Sequence, residues 1–327
     1  MRAWMLDGPQ DSSSLYIKEM PIPDVQRGWV LIQMKAFGLN RSEHHTLILQ
    51  NLMIIGLAEG VTFPRVLGIE VTGVVVSAPG AEFEPGQQVC ATMGGMGGNF
   101  DGGYAEYTCV RANHVSSLDW SILGAVPEML HTTWGALDVG MDAKKGQSIL
   151  IRGGTSSSRM ATVVLAKQLQ MTGFSTTRNK KKSDTLRNFG VDHVLIDNGN
   201  FSAQVRAIAP EGVDCAIELF GTDALPNTLK ACKVKGVTCF VGMLSNQWTV
   251  KELYPIDYLP HGVKLFGYAS GVEKLPEHVL RNFLDAVETG NAFMPIDKVF
   301  QFEQLREAHE RTNAGLAVGK MVVLTGT

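Results

Sequence analysis

Cysteine is scarce in this chain of 327 residues, with only Cys90, Cys109, Cys215, Cys232 and Cys239, all widely scattered. No two form a C-x-x-C pair, so the spacing that a zinc knuckle or a dense disulfide framework needs is missing. Reduced thiols in a cytoplasmic protein are the expectation. Charge of one sign is lacking too. A net charge of −3 provides no reason to expect nucleic acid or a membrane surface as partner. Long apolar runs are also absent. The longest, 47–58, is broken by Gln50, Asn51 and Gly56, whereas a membrane span takes about 20 residues. The opening MRAWMLDGP has no apolar stretch of the signal-peptide kind, so none is expected. Repeats and low-complexity tracts are missing as well.

What remains is an ordinary globular composition, 45% hydrophobic and 19% charged, long enough for two domains with sizeable cores. Up to about residue 120, short apolar runs are punctuated by Gly and Pro, as in 29–36, 71–77, 88–92 and 104–110. Closely spaced strands of this kind predict a small β-barrel-like domain. From about Leu123, strands and helices alternate. Strands are expected at 148–152, 173–177, 193–196, 214–219, 238–241 and 264–266, and helices at 159–170, 182–189, 202–209 and 223–231. The rhythm is α/β and predicts a doubly wound parallel sheet. A helix over 277–289, an apolar segment at 299–301, a helix over 303–312 and a strand over 320–324 look like a return to the first domain. The domains expected are 1–122, completed by about 290–327, and 123–289.

One stretch carries most of the information. Ser148-Ile149-Leu150-Ile151-Arg152-Gly153-Gly154-Thr155-Ser156-Ser157-Ser158-Arg159-Met160 reads as buried strand, glycine-rich turn and helix start. Free N–H groups and the positive end of the helix dipole make such a turn a site for a pyrophosphate. Gly153, Gly154, Thr155, Ser156 and Ser157 are therefore candidate cofactor contacts; the alternative is a plain loop. About twenty residues on, a fold that prefers NAD carries a carboxylate for the ribose 2′-hydroxyl, while a basic side chain accommodates a 2′-phosphate. Here stand Arg178, Lys180, Lys181 and Lys182, with no acid before Asp184. Cations at a helix start oppose its dipole, so a solvated helix end explains them less well than a phosphate contact by Arg178 or Lys182. NADP(H) is expected rather than NAD(H). Phe220, Gly242 and Leu244 end two predicted strands at the carboxyl edge, where ligands bind in open α/β sheets. Phe220 serves equally well as core packing. The run Gly94-Gly95-Met96-Gly97-Gly98 precedes no apolar helix and reads as a connector; Tyr104 and Tyr107 receive no catalytic role.

Several ordered motifs span nearly the whole chain: Gly38-Leu39-Asn40-Arg41-Ser42-Glu43, Phe63-Pro64-Arg65-Val66-Leu67-Gly68-Ile69-Glu70, and Asp101-Gly102-Gly103-Tyr104-Ala105-Glu106-Tyr107. Pro127-Glu128, Thr132, Trp134-Gly135-Ala136-Leu137, the 153–157 turn, Ala308-His309 and Gly319-Lys320 continue them. Together they resemble the zinc-free, quinone-oxidoreductase-like members of the medium-chain dehydrogenase/reductase superfamily. The resemblance implies a GroES-like β-barrel catalytic domain, a Rossmann domain, and a nicotinamide in the cleft between them. Ile69 stands at the position that resembles the His of the zinc-dependent branch's Gly-His-Glu ligand motif, and isoleucine cannot bind a metal; that branch's four closely spaced structural cysteines are missing too. His44 and His45 are adjacent and would face opposite ways on a regular strand. Activation without a Lewis acid favours conjugated acceptors: quinones, enals and enones.

Asn40 has a side-chain amide that could reach the nicotinamide ribose, as a cofactor contact, or the substrate carbonyl, against a turn role. The same resemblance implies the cleft role, and makes Thr132 a cofactor contact near the nicotinamide, against a helix cap. Lys182 is the best match for the 2′-phosphate. Arg159 stands where the family has glycine; it either adds a contact to the pyrophosphate or crowds the turn. The apolar 46–58 segment is expected to form a lid or pocket wall for an apolar substrate, with a subunit contact or a poorly ordered insertion as the alternatives. The function expected is NADPH-dependent hydride transfer to a conjugated acceptor. The alternatives are a trans-acting enoyl reductase of a polyketide pathway and a non-catalytic nucleotide-binding protein with a regulatory or structural role. The apolar strand at 263–267 would leave a sheet edge for a homodimer.

Overall fold

The computed structural model describes residues 1–48, 61–117, 126–153, 157–247, 249–269, 273–292, 294, 296–317 and 319–326, without the side chains of 45, 46, 48 and 182. Along the chain the strands are β1 (Arg2–Leu6), β2 (Tyr16–Glu19), β3 (Trp29–Gly38), β4 (Arg65–Val66), β5 (Glu70–Ser77), β6 (Gln88–Thr92), β7 (Tyr107–Arg111) and β8 (Val115–Ser117). Then follow β9 (Ser148–Arg152), β10 (Thr172–Thr177), β11 (His193–Ile196), β12 (Val213–Glu218), β13 (Cys232–Phe240), β14 (Lys264–Gly267), β15 (Ile296–Gln301) and β16 (Lys320–Leu324).

Two compact units divide the chain. The first comprises Met1–His131, Gly271–Leu280 and Pro295–Thr327. It holds a three-stranded sheet ordered β2-β1-β4 and a larger one ordered β15-β16-β3-β5-β6-β8, with β7 also on β3. Strand β3 is buried almost throughout because it has neighbours along both edges. Its side chains Val30, Ile32, Met34 and Phe37 share a core with Leu6, Tyr104, Phe300 and Phe302. The last strand, β16, runs antiparallel to β3 with Val322 opposite Gly38. The Leu39 N–H donates to the Met321 carbonyl at 3.0 Å. That pairing brings the final residues of the chain to Asn40.

The second unit comprises Thr132–Ser270 and Arg281–Met294. Its six strands are all parallel and ordered β11-β10-β9-β12-β13-β14. The chain therefore moves outward one way from β9 and then the other way from β12, leaving the switch point between those two strands. Ile149, Leu150 and Ile151 are fully buried, as strands covered on both faces must be. At the far edge β14 is exposed along its whole length.

The predicted Rossmann strands are present, two with the same bounds (β9, β11) and β13 extended backward to Cys232. The first helix, Ser157–Gln168, starts two residues earlier than its apolar pattern suggests. His44 lies on a helix, Arg41–Ile48, and not on a strand, so the alternation of a pleat does not apply there. Tyr104 precedes β7 instead of belonging to it. The expected pocket wall at 46–58 lies almost entirely outside the described residues.

Candidate functional site

In the second unit the carboxyl ends of β9, β12 and β13 converge. Gly153 follows β9 with φ +142°, and a Cβ there would lie 2.5 Å from the Leu219 Cβ. Only glycine lets the backbone turn this tightly against the end of β12. Gly221 has φ +150°, and an added Cβ would sit 2.2 Å from the Ser245 Oγ. A Cβ on Gly242 would meet the Leu219 carbonyl at 3.0 Å. The Leu244 and Ser245 N–H groups donate to the Leu219 and Phe220 carbonyls at 3.2 and 2.7 Å. The result is a closely packed backbone shelf at the switch point, with the helix from Ser157 starting beside it. This arrangement fits a dinucleotide. Gly154, Thr155 and Ser156 lie outside the described residues. Arg159, the third residue of the helix, is fully buried, and burial pushes its guanidinium down to about 10.

Beyond β10, Arg178 is exposed and packs its guanidinium over the Phe220 ring, 5.2 Å from the centroid. Arg152 also lies 5.2 Å from that ring's centroid. Phe220 is thus neither pure core nor free surface. Asn179 caps the turn Lys180–Lys182 by accepting from the Lys181 N–H at 3.0 Å. Lys180 and Lys181 are exposed; the Lys182 side chain is not among those described. Thr132 is buried on the helix Pro127–Gly135, and it is the next residue, Thr133, that donates to the Ser158 carbonyl at 3.1 Å.

Two charged residues here escaped the sequence reading. Arg152 is buried, paired with Asp197 at 2.6 Å and donating to Thr176 Oγ1 at 3.2 Å. Glu218 is buried at the end of β12 and accepts from the Phe220 N–H at 2.7 Å, the Gly221 N–H at 3.2 Å and Thr228 Oγ1 at 2.5 Å. Burial pushes its carboxyl up to about 7 against those donors. The signal was available: each is a charge that ends an otherwise apolar strand.

The first unit contains a buried polar cluster around Asn40, which is 7% exposed. Its Nδ2 donates to Glu70 Oε1 at 3.0 Å. Lys320 is 1% exposed and donates from Nζ to Asn40 Oδ1 and to Glu70 Oε1, each at 2.5 Å. Glu128 Oε2 lies 4.0 Å from the same ammonium, and the Glu128 N–H donates to Glu70 Oε2 at 2.9 Å. One turn along, Glu43 accepts from the Asn40 N–H at 2.6 Å, the Ile69 N–H at 2.9 Å and the Tyr104 hydroxyl at 2.8 Å. Its bond from the Asn40 N–H is half of a capping box for the helix Arg41–Ile48. Burial still pushes its carboxyl up to about 7. Tyr104, fully buried, is raised well above the usual phenol range by the same burial.

Among the described residues no group of three or more His, Cys, Asp or Glu side chains converges as a metal site. Both Glu70 oxygens are engaged by Lys320, Asn40 and the Glu128 N–H. His44 and His309 are buried, and burial lowers them to about 4 and about 3.

Residues 26–119 match the family model for the alcohol dehydrogenase GroES-like domain, and residues 189–323 match that for zinc-binding dehydrogenases. A chloroplastic quinone-oxidoreductase QR1 of Triphysaria versicolor is 28% identical over 343 residues, covering 99% of this chain and 98% of the relative. The quinone oxidoreductase from Coxiella burnetii superposes with a TM-score of 0.82 at 22% identity, covering 99% of each chain. Mycobacterial Rv1454c complexed with NADPH superposes at 0.83 and 19%, covering 99% of this chain and 100% of the other. The two family models cover most of the first unit and the later part of the second, while β9, β10 and the turn at Gly153 lie between the two matched stretches. The chain belongs to the medium-chain dehydrogenase/reductase superfamily, as an oxidoreductase of its quinone-oxidoreductase-like branch.

Proposed function

We propose that the protein is a cytoplasmic reductase that uses NADPH and passes hydride, without zinc, to a small apolar acceptor with a conjugated carbonyl: a quinone, enone or enal. The observation that carries the cofactor choice is at the carboxyl end of β10. Where a ribose 2′-hydroxyl would need a carboxylate, Arg178 is held over Phe220 and exposed lysines follow. The NADPH in the mycobacterial structural neighbour is in keeping with this. Zinc independence is supported by Ile69, an apolar side chain, and by the commitment of Glu70 to an ammonium ion. The chemistry the cofactor supplies when bound is hydride donation to the acceptor's β-carbon. Negative charge then develops on the acceptor's carbonyl oxygen and must be met by a donor. Asn40 suits that duty, because among the described residues only one of its two amide hydrogens has an acceptor.

The cofactor choice is tested by titrating the protein with NADPH and NADH by calorimetry, beside Arg178→Asp. NADPH should bind at least about tenfold more tightly, a gap of about 1.4 kcal/mol, and the variant should lose that gap. Equal affinities in the natural protein would overturn it.

A further inference from the structure

A carboxamide presents oxygen on one side and nitrogen on the other with nearly the same shape, so its orientation must be imposed by partners. At Asn40 the partners leave no ambiguity. An ammonium can only donate, so Oδ1 faces Lys320 Nζ; an ionised carboxylate can only accept, so Nδ2 faces Glu70 Oε1 at 3.0 Å. Lys320 and Glu70 are each 1% exposed and are themselves an ion pair. Such a buried pair has little advantage in stability over well-packed apolar side chains. What it does provide here is a fixed direction. A cation on the carbonyl oxygen also withdraws electron density from the amide nitrogen and strengthens its remaining N–H as a donor.

We propose that Lys320 is a positioning residue: its buried ammonium clamps the Asn40 carboxamide in one orientation, so that the second Nδ2 hydrogen is presented to the acceptor's carbonyl oxygen. The last part rests on the reduction reading above; the clamp itself does not. Glu70 anchors the ammonium, and Glu128, 4.0 Å away, is the second carboxylate facing it. The chain arranges this by pairing β16 with β3, which delivers Lys320 across 280 residues to Asn40.

Removing Lys320 alone would strand Glu70 as a buried charge, so the test uses the neutral pair Lys320→Met/Glu70→Gln, with Lys320→Arg as the conservative rescue. The side-chain amide signals of Asn40 in nitrogen-15 spectra are identified by their loss in Asn40→Ala. They should sit at shifted positions in the natural protein, return to free-amide positions in the neutral pair, and stay shifted in Lys320→Arg. In acceptor reduction the neutral pair should lower kcat/KM about 100-fold, as losing one oxyanion donor does, with NADPH affinity unchanged. Added to Asn40→Ala, it should cost less than a further twofold or so, since both changes remove one device. Amide signals that do not move, or losses that multiply, would overturn the clamp. If the natural protein reduces no acceptor, the reduction reading fails on its own, and the amide signals still decide whether Lys320 holds Asn40.

Discussion

An alanine at position 153 would need a φ of +142° and would press its Cβ to 2.5 Å from that of Leu219. Gly153→Ala should therefore cost about 1–3 kcal/mol in stability and weaken nucleotide binding, both measurable by thermal unfolding with and without NADPH. Unchanged stability and affinity would show that the turn has more room than its geometry indicates. Tyr104→Phe removes one of three donors to a buried carboxylate. A loss of about 1–3 kcal/mol is expected, with the Glu43 carboxyl pushed higher still. At this scale the sequence was partly legible. Gly153 could be read from strand, glycine and helix in succession. Lys320 could not: a lysine opening an apolar strand reads as solvated, and its partners Asn40 and Glu70 are remote in sequence. Arg152 escaped for the same reason, since Asp197 and Thr176 reach it only once the parallel sheet has formed.

Among the elements, the strands of the parallel sheet were the easiest to read, because burial on both faces makes them short unbroken apolar runs. The first unit was harder. Its strands run from two residues in β4 to ten in β3, the register shifts twice between β3 and β5, and Tyr104 reaches its buried position from the segment before β7. The helix Arg41–Ile48 carries Glu43 and His44, and the helix Leu305–Asn313 carries His309. Their burial sets the pH response. His44 and His309 are lowered by burial to about 4 and about 3. Their contribution is complete above the unfolded value near 6.5 and is lost as pH falls toward those lower values. For His309 this is roughly 5 kcal/mol over the whole range. Glu43 and Glu218 are raised by burial to about 7. Their contribution is complete below about 4.5 and is lost as pH rises through 7. Melting temperature should therefore pass through a maximum in mildly acidic buffer. His309→Gln should flatten the acid limb and Glu218→Gln the alkaline one. A profile that neither change alters would show that these groups do not set it.

For the whole molecule, the order β11-β10-β9-β12-β13-β14 and the run of motifs to Lys320 account for the superfamily. Among the described residues no helix is long and apolar enough to cross a membrane. Strand β14 ends the parallel sheet with Leu265 and Phe266 40% and 39% exposed, and an open edge of this kind invites another strand. We expect a homodimer paired through it, with sedimentation giving twice the 35.5 kDa chain mass and Phe266→Lys giving the chain mass alone. A natural protein that sediments as a monomer would exclude that pairing. The central claim is hydride transfer from NADPH to a conjugated carbonyl without zinc. It is tested most directly by following dihydronicotinamide absorbance with a panel of quinones, enals and enones, for NADPH and NADH, with a strong zinc chelator present throughout. The account predicts steady oxidation of NADPH by at least one acceptor class, much slower oxidation of NADH, and no loss of rate to the chelator. Turnover that disappears with the chelator, or NADPH that binds and is never oxidised, would contradict it.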